Sequence, residues 1–398
     1  MEETLVPGKV DWRGRPAKKD KHGGNFSSLF ILALYGMDSF ATLALAVNIS
    51  TYFFDVMHFD LNESTKVLTD FLGTSYILTI VAAYVSDALL ARYKVILISA
   101  SIEILKRIHF LKILHYRFLD KAAIQQSGEQ NSGLCRVSQV EATKIILSMI
   151  PIFLSTIITS ICLTDFLNYS INQGITMDYY LNNLEVPATP FLGYLFMAFL
   201  IPLYHYVFVP FARKFTGLST GITHLQRVSS GIVFSIIAMI AGAILEVKRK
   251  NVAESHNMVD AIPLQELLPI SFFWLSFQYF FYGISQVLIF VGLLEFFYSE
   301  APRGLKSSAT CFLWISTAIG YFMSNVVVDW VNDATENNTA TGGWLVGFNI
   351  NRNHVNYFYW MLAVLSFINL LIFMLWARWY KYRSQNSKVR VTDENVAV

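Results

Sequence analysis

The sequence predicts an all-α integral membrane protein of about eight spans. Two observations predict it: the blocks in which apolar residues fall, and the alternation of charge between them. Of the 398 residues 54% are hydrophobic and only 15% are charged, where about 25% charged is usual for soluble domains. Uncharged runs occupy Ile145–Thr164, Val186–Ala212, Val228–Leu245, Ile270–Leu294, Ser307–Val328 and Val355–Trp376. Each reaches the ~18 residues a spanning helix needs. Glu295 closes the fourth run. Nearer the N-terminus, Phe26–Met37 and Ser39–Phe54 are divided only by Asp38, and Phe71–Ser86 is extended past Asp87 by Leu89 and Leu90. Two spans therefore precede residue 106 and six follow residue 143.

Charge sets the expected topology, because basic loops mark the cytoplasmic side. Lys9, Arg13, Arg15, Lys18, Lys19 and Lys21 place the N-terminal tail inside. The stretch from Asp55 to Lys66 is mostly acidic and reads as outside, and Arg92 and Lys94 read as inside. Asp165, Asp178 and Glu185 are expected in an outer loop, Arg213, Lys214 and Arg227 inside, Arg303 and Lys306 inside, and Asp329, Asp333 and Glu336 outside. Arg378, Lys381 and Arg383 put the C-terminal tail inside. One expected outer loop dissents with Lys248, Arg249 and Lys250. The pattern closes only if Lys94–Tyr116 does not cross. Its apolar part, Val95–Leu105, is too short to span and contains Glu103; an interfacial or re-entrant helix fits it.

The expected organisation is a basic cytoplasmic tail (1–28), an N-terminal remnant of two spans and part of a third (29–105), a cytoplasmic linker (106–142), a six-helix bundle (143–383) and a second tail (384–398). A net charge of +2 gives no field for nucleic acid. Cys135, Cys162 and Cys311 lack metal-ligand spacing and read as small hydrophobes. No Walker loop, HExxH or GxSxG motif is present, so neither an enzyme nor a cofactor is expected. Sequons at Asn62, Asn168 and Asn337 fall in expected outer loops and are glycosylation candidates, Asn337 the best of them because the other two lie close to the membrane.

Several phrases resemble the plant nitrate/peptide transporter family, the plant branch of the proton-dependent oligopeptide transporters in the major facilitator superfamily. They are Asp11–Ala17 (DWRGRPA), Phe71–Tyr93, Arg117–Ile124 (RFLDKAAI), Phe211–Lys214 (FARK), Gly221–Arg227 (GITHLQR), Pro269–Gln286, Gly292–Pro302 (GLLEFFYSEAP) and Asn356–Leu371, in family order. Ile98–Leu105 (ISASIEIL) and Glu246–Lys250 (EVKRK) look like the branch that includes abscisic-acid and low-affinity nitrate importers. The resemblance implies a major facilitator-type bundle. It further implies proton-linked import of nitrate, a peptide or a small organic acid, a plasma-membrane location, and partners limited to substrate, protons and lipid. Family members carry six helices in each half. RFLDKAAI here begins eleven residues after Lys106, so the resemblance implies an internally truncated N-terminal half. A truncated isoform that binds a full-length homologue is the alternative.

The resemblance also nominates residues. Where the family has ExxER, this chain has Tyr35-Gly-Met-Asp38-Ser39, leaving Asp38 as the titratable group. Gln286 stands where a glutamate is usual, and cannot take up a proton. His205 is a lone polar group in an apolar run. These three are the proton or substrate candidates; for each, structural pairing within the bundle is the competing reading. Asp87 and Arg92 are spaced like the superfamily's inner gate, and Glu295 suits an inter-helix clamp. The aromatic run Phe272–Tyr282 is expected to serve packing and lipid contact.

Overall fold

The computed structural model describes residues 5–10, 16–18, 61–88, 137–178, 180–181, 184–185, 190–216, 221–261, 266–301, 306–339, 342–347 and 349–380, with Phe53, Met57 and Phe59. The fold is helical: α1 (Leu61–Ala88), α2 (Val137–Gly174), α3 (Pro190–Leu203), α4 (Val209–Thr216), α5 (His224–Ser255), α6 (Leu275–Glu300), α7 (Lys306–Thr335) and α8 (Val355–Trp379). A π-helical turn, Tyr204–Phe208, joins α3 to α4 without leaving helical backbone. Pro202 lies one residue before the N-cap of that turn and removes an N–H from the ladder, which favours such a local rearrangement. Among the described residues from Val137 onward these helices make six rods. The strands are short. Leu5–Val10 pairs antiparallel with Pro16–Lys18, and Met177–Asp178 pairs in parallel with Leu268–Ser271, tying the end of α2 to the start of α6.

The GITHLQR phrase has a local physical reason. Gly221 has φ +79°, a conformation that favours glycine. Thr223 then caps α5 reciprocally with Gln226: the Thr223 hydroxyl accepts from the Gln226 N–H, and the Gln226 side chain accepts from the Thr223 N–H.

α5 packs on α6 and α8, α2 on α7 and α8, α3 on α6, and α1 on α7. The core is aromatic. Phe166 on α2 meets Tyr282 and Tyr359, with ring centres 5.7 and 5.3 Å apart, and Tyr169 meets Phe358 at 5.1 Å. Gly242 lets the α5 backbone reach this cluster; a Cβ there would sit 2.9 Å from the Phe166 ring. The outside is apolar instead of polar. On α8, Val364, Phe367, Leu371 and Leu375 form an exposed stripe at helical spacing, while Ser366 and Asn369 are buried. Five helical segments among the described residues are long and apolar enough to cross a membrane: Ser148–Gly174, His224–Ser255, Phe272–Glu300, Thr310–Thr335 and Val355–Trp379. The aromatic run divides as expected, with Phe272, Tyr279 and Tyr282 buried and Phe273, Trp274 and Phe277 exposed.

Four sequence expectations are corrected. Asp165 is not in a loop: α2 runs ten residues past the apolar run, to Gly174, and Asp165 is buried inside it. Lys248, Arg249 and Lys250 are not in a loop either, because α5 continues to Ser255. Arg249 is wholly buried and paired with Glu246, so it does not count as loop charge. Lys66 belongs to α1, which begins at Leu61, and Asp329 and Asp333 belong to α7. The α6 helix passes through Glu295 and ends at Glu300. The common cause is that a charge ends an apolar run on paper, whereas a helix continues through charges that tertiary packing or a neighbouring turn can satisfy. The first expected span and the Lys94–Tyr116 segment lie outside the described residues.

Candidate functional site

A cavity of about 80 Å³ lies between α2, α6 and α7. That is several times the ~10–15 Å³ a single water requires. α2 contributes Thr159, Ser160 and Thr164, α6 contributes Tyr282 and Gln286, and α7 contributes Thr317 and Tyr321; leucines, Ile289 and Phe290 complete the wall. Gln286 donates to the Tyr282 hydroxyl at 2.8 Å, one helical turn earlier. Thr159 donates to the Ser155 carbonyl at 3.1 Å and Thr317 to the Leu313 carbonyl at 3.0 Å. Those threonine protons are thereby committed to backbone, and Thr159 Oγ1 in addition accepts from Asn369 at 2.9 Å. The described lining is neutral and hydroxyl-rich, suited to holding a small polar solute by hydrogen bonds. One wall depends on close backbone approach: a Cβ on Gly320 would lie 2.5 Å from the Ser160 Cβ.

Polar groups buried between helices support this cavity. Asn369 on α8 accepts from the Ser155 hydroxyl at 2.7 Å and donates to the Ser155 carbonyl at 3.1 Å and to Thr159 at 2.9 Å. A larger network sits at the end where α2 meets the short strands. Gln173 donates to Glu246 at 2.7 Å, Tyr359 donates to Gln173 at 3.0 Å, and Gln278 donates to both Ser170 and Gln173. Arg249 forks onto Glu246 at 2.8 and 2.6 Å and also donates to Thr176 and Asn351. Inside a bilayer such partners take the place of water, which cannot satisfy buried polar groups there.

Of the expected site residues whose side chains are described, Gln286 and Glu295 lie apart on α6. Gln286 lines the cavity. Glu295 lies at the far end of α6, where it accepts from Arg227 at 2.6 Å and contacts His224 Nδ1 at 3.1 Å, joining α6 to the first turn of α5. Arg227 also lies over the Tyr204 ring, 5.2 Å from its centre. His205 falls in the π-helical turn and Asp87 in the last turn of α1, with their side chains outside the described residues; Asp38 and Arg92 lie outside them altogether. Asn337 is exposed in a 3₁₀ turn, accessible as a glycosylation site must be. Asn168 is buried in α2 and donates to Thr69 at 3.2 Å, which leaves no access for a glycan. Asn62 is in the first turn of α1, its side chain outside the described residues.

Sequence reasoning missed Asp165, Asn369 and the Glu246–Arg249 pair. Only the last had a signal: opposite charges three apart share a helical face.

Long helices that are apolar outside and hydrogen-bonded inside define a multi-pass integral membrane protein. The POT family model (PTR2) matches residues 41–345, and the chain belongs to the POT family. Among curated proteins of Arabidopsis thaliana, Protein NRT1/PTR FAMILY 4.6 is 42% identical over 256 residues, covering 64% of this chain and 43% of its own length. Protein NRT1/PTR FAMILY 4.5 is 44% identical over 255 residues, covering 64% and 44%. The chain therefore spans less than half the length of these relatives in those matches. Protein NRT1/PTR FAMILY 4.4 is 25% identical over 559 positions, covering 95% of this chain and 91% of its own. The structure titled "Crystal structure of auto inhibited POT family peptide transporter" has 23% identity and a TM-score of 0.46, covering 61% of this chain and 43% of that one.

Proposed function

We propose that this chain is a secondary active importer of a small polar solute, nitrate, a peptide or a small organic acid such as abscisic acid, working by alternating access in the plasma membrane. The observation that carries the reading is the hydroxyl-lined cavity around Gln286 and Tyr282, in a chain of a transporter family. Hydrogen bonds to Thr159, Thr164, Thr317 and Gln286 orient the solute, and the surrounding helices exclude water. Ser39 and Gln286 stand where the resemblance expects an arginine and a glutamate, so proton coupling cannot rest on those two positions. The test is uptake of labelled nitrate, dipeptides and abscisic acid in oocytes expressing the full chain, with and without an inward pH gradient. Uptake above water-injected controls, reduced by Gln286→Ala and by Tyr282→Phe, supports the reading. No uptake of any of these solutes, with the chain present at the surface, sinks it.

A second reading is favoured by one observation. The 559-position match to NRT1/PTR FAMILY 4.4 leaves more than a quarter of its positions opposite no residue of this 398-residue chain. The order of the family phrases supports a gap between residues 105 and 117. On this reading the chain does not transport and instead binds a full-length homologue. Co-purification of such a homologue, with no uptake by the chain alone, selects it.

A further inference from the structure

The cavity between α2, α6 and α7 is defined by the kind of polar group in its wall. Its described lining contains no acid and no base. Ser160 and Thr164 stand one turn apart on α2, and among the described residues neither hydroxyl has a hydrogen-bond partner. Gln286 gives one N–H to the Tyr282 hydroxyl at 2.8 Å, which leaves its second N–H and its carbonyl oxygen. Leu163, Leu167, Ile289, Leu293 and Leu313 supply apolar surface beside them. Donors and acceptors therefore lie together. An amide, a hydroxyl or a protonated acid, which donates and accepts at once, satisfies both.

An ion fits this wall poorly. The buried arginines Arg227 and Arg249 are paired with Glu295 and Glu246, so an anion would meet only hydroxyl and amide dipoles. Asp165 follows Thr164 on α2 but is outside the lining, 1% exposed, and accepts from Ser324. It adds no positive charge for an anion and is not in the wall as a partner for a cation. A cation would find the rings of Phe290 and Tyr321, but ring faces return only part of the hydration it gives up.

Nor is there room for an ion to keep its water. At ~10–15 Å³ for each water-sized group, the cavity of about 80 Å³ admits a few heavy atoms without a hydration shell. The wall facing α1 is packed. Tyr76 of α1 stacks on Trp314 at 5.4 Å and meets Tyr321 at 5.6 Å, and Phe290 meets Trp314 edge-on at 5.5 Å. A Cβ on Gly73 would lie 3.1 Å from the Phe322 ring.

We propose that the cavity selects solutes that are uncharged at the group they bury in it: an amide, alcohol or protonated acid on a short apolar stem. Ser160, Thr164 and Gln286 bind the polar group, and the leucines pack on the stem. The inference rests on the transport reading and narrows its solutes: nitrate does not fit, and an organic acid enters protonated.

The full chain, purified in nanodiscs, is titrated at pH 7 with propionamide, propionate, propylammonium and nitrate, and binding is followed by ligand-observed NMR. Propionamide and propionate match in size and differ in charge. Propionamide is expected to bind at least about tenfold more tightly than any of the ions. Ser160→Ala and Thr164→Val are each expected to weaken it by roughly threefold to tenfold. Gln286→Glu is expected to weaken propionamide and to raise propylammonium affinity about tenfold, because it supplies the acid that a cation lacks. Any ion bound as tightly as propionamide, no propionamide binding, or propionamide affinity unchanged in all three variants overturns the proposal. The ranking of probes on the unsubstituted chain stands even where a variant fails to fold. Nitrate uptake that Gln286→Ala reduces keeps the transport reading and sinks the selectivity. A chain that ranks the probes as expected yet takes up no solute upholds the selectivity and removes the transport reading.

Discussion

Glu246 accepts a hydrogen bond from Arg249 at 2.6 Å, and both side chains are wholly buried within one helix, α5. Two residues that read as part of a charged outer loop are therefore an internal ion pair, in the five-residue phrase EVKRK. The pair does not stand alone. Gln173 from α2 donates to Glu246, and Arg249 reaches Asn351 in the turn before α8. Three helical rods are thereby held in register at one end of the bundle.

Removing one partner of this pair strands a buried charge, which in proteins destabilises by about 3–5 kcal/mol. Arg249→Met and Glu246→Leu are each expected to lower the thermal unfolding temperature of the purified protein markedly. The double variant is expected to recover a large part of the loss, because it leaves no orphaned charge. Equal losses that simply add in the double variant count against the pair acting as a unit.

Asn369→Leu removes three hydrogen bonds between α8 and α2 while keeping side-chain volume. Interhelical hydrogen bonds in membranes contribute about 0.6–2 kcal/mol. The variant is expected to lose stability on that scale and to leave Ser155 and Thr159 without their partner. Wild-type resistance to detergent unfolding in Asn369→Leu is the result that dismisses the contact.

The apolar runs made six of the helices legible. Helix ends were not legible. Thr164 ended a run on paper because Asp165 follows, yet Asp165 is satisfied in part by Ser324, 159 residues away in the chain. Arg249 is satisfied by Thr176 and Asn351, 73 and 102 residues away. Periodicity reports what a residue prefers, and it carries no information on a partner brought by tertiary packing. Gln286 was legible as a site residue through the family resemblance alone, because it stands where a glutamate is usual. The cavity around it was not, since Thr159, Thr164 and Thr317 look like ordinary helix residues until three helices meet.

His354 offers a pH dependence outside the spans. Its burial, followed by the nearby charge of Lys250, holds its pKa below the usual histidine value of 6.5. The ring stacks on Tyr357 at 5.6 Å, and the residue's carbonyl starts α8 by accepting from Tyr357 and Phe358. The unfolded chain therefore binds a proton more readily than the folded one. This contribution is complete above about pH 6.5 and is lost as pH falls from there through the folded value. His354→Gln is expected to flatten that part of the stability profile between pH 7 and 5. An identical slope in the variant assigns the pH dependence elsewhere.

Gly320 tests the cavity wall most directly. A Cβ placed there meets the Ser160 Cβ at 2.5 Å and the Ser160 carbonyl carbon at 3.0 Å, so α7 cannot keep its present distance from α2. Overpacking of this kind costs about 1–3 kcal/mol. Ser160 is itself part of the lining, and the strain is relieved most easily by parting the two helices at the cavity. Gly320→Ala is therefore expected to reduce thermal stability and to weaken solute uptake together. Ser160→Gly in the same chain removes the clashing Cβ, though the backbone carbon stays at 3.0 Å, and is expected to restore stability in part. Because it also deletes a hydroxyl from the wall, it restores uptake less than it restores stability. If Gly320→Ala is as stable as wild type, the helices are not held at this separation, and the cavity between them is not the fixed site that solute recognition requires.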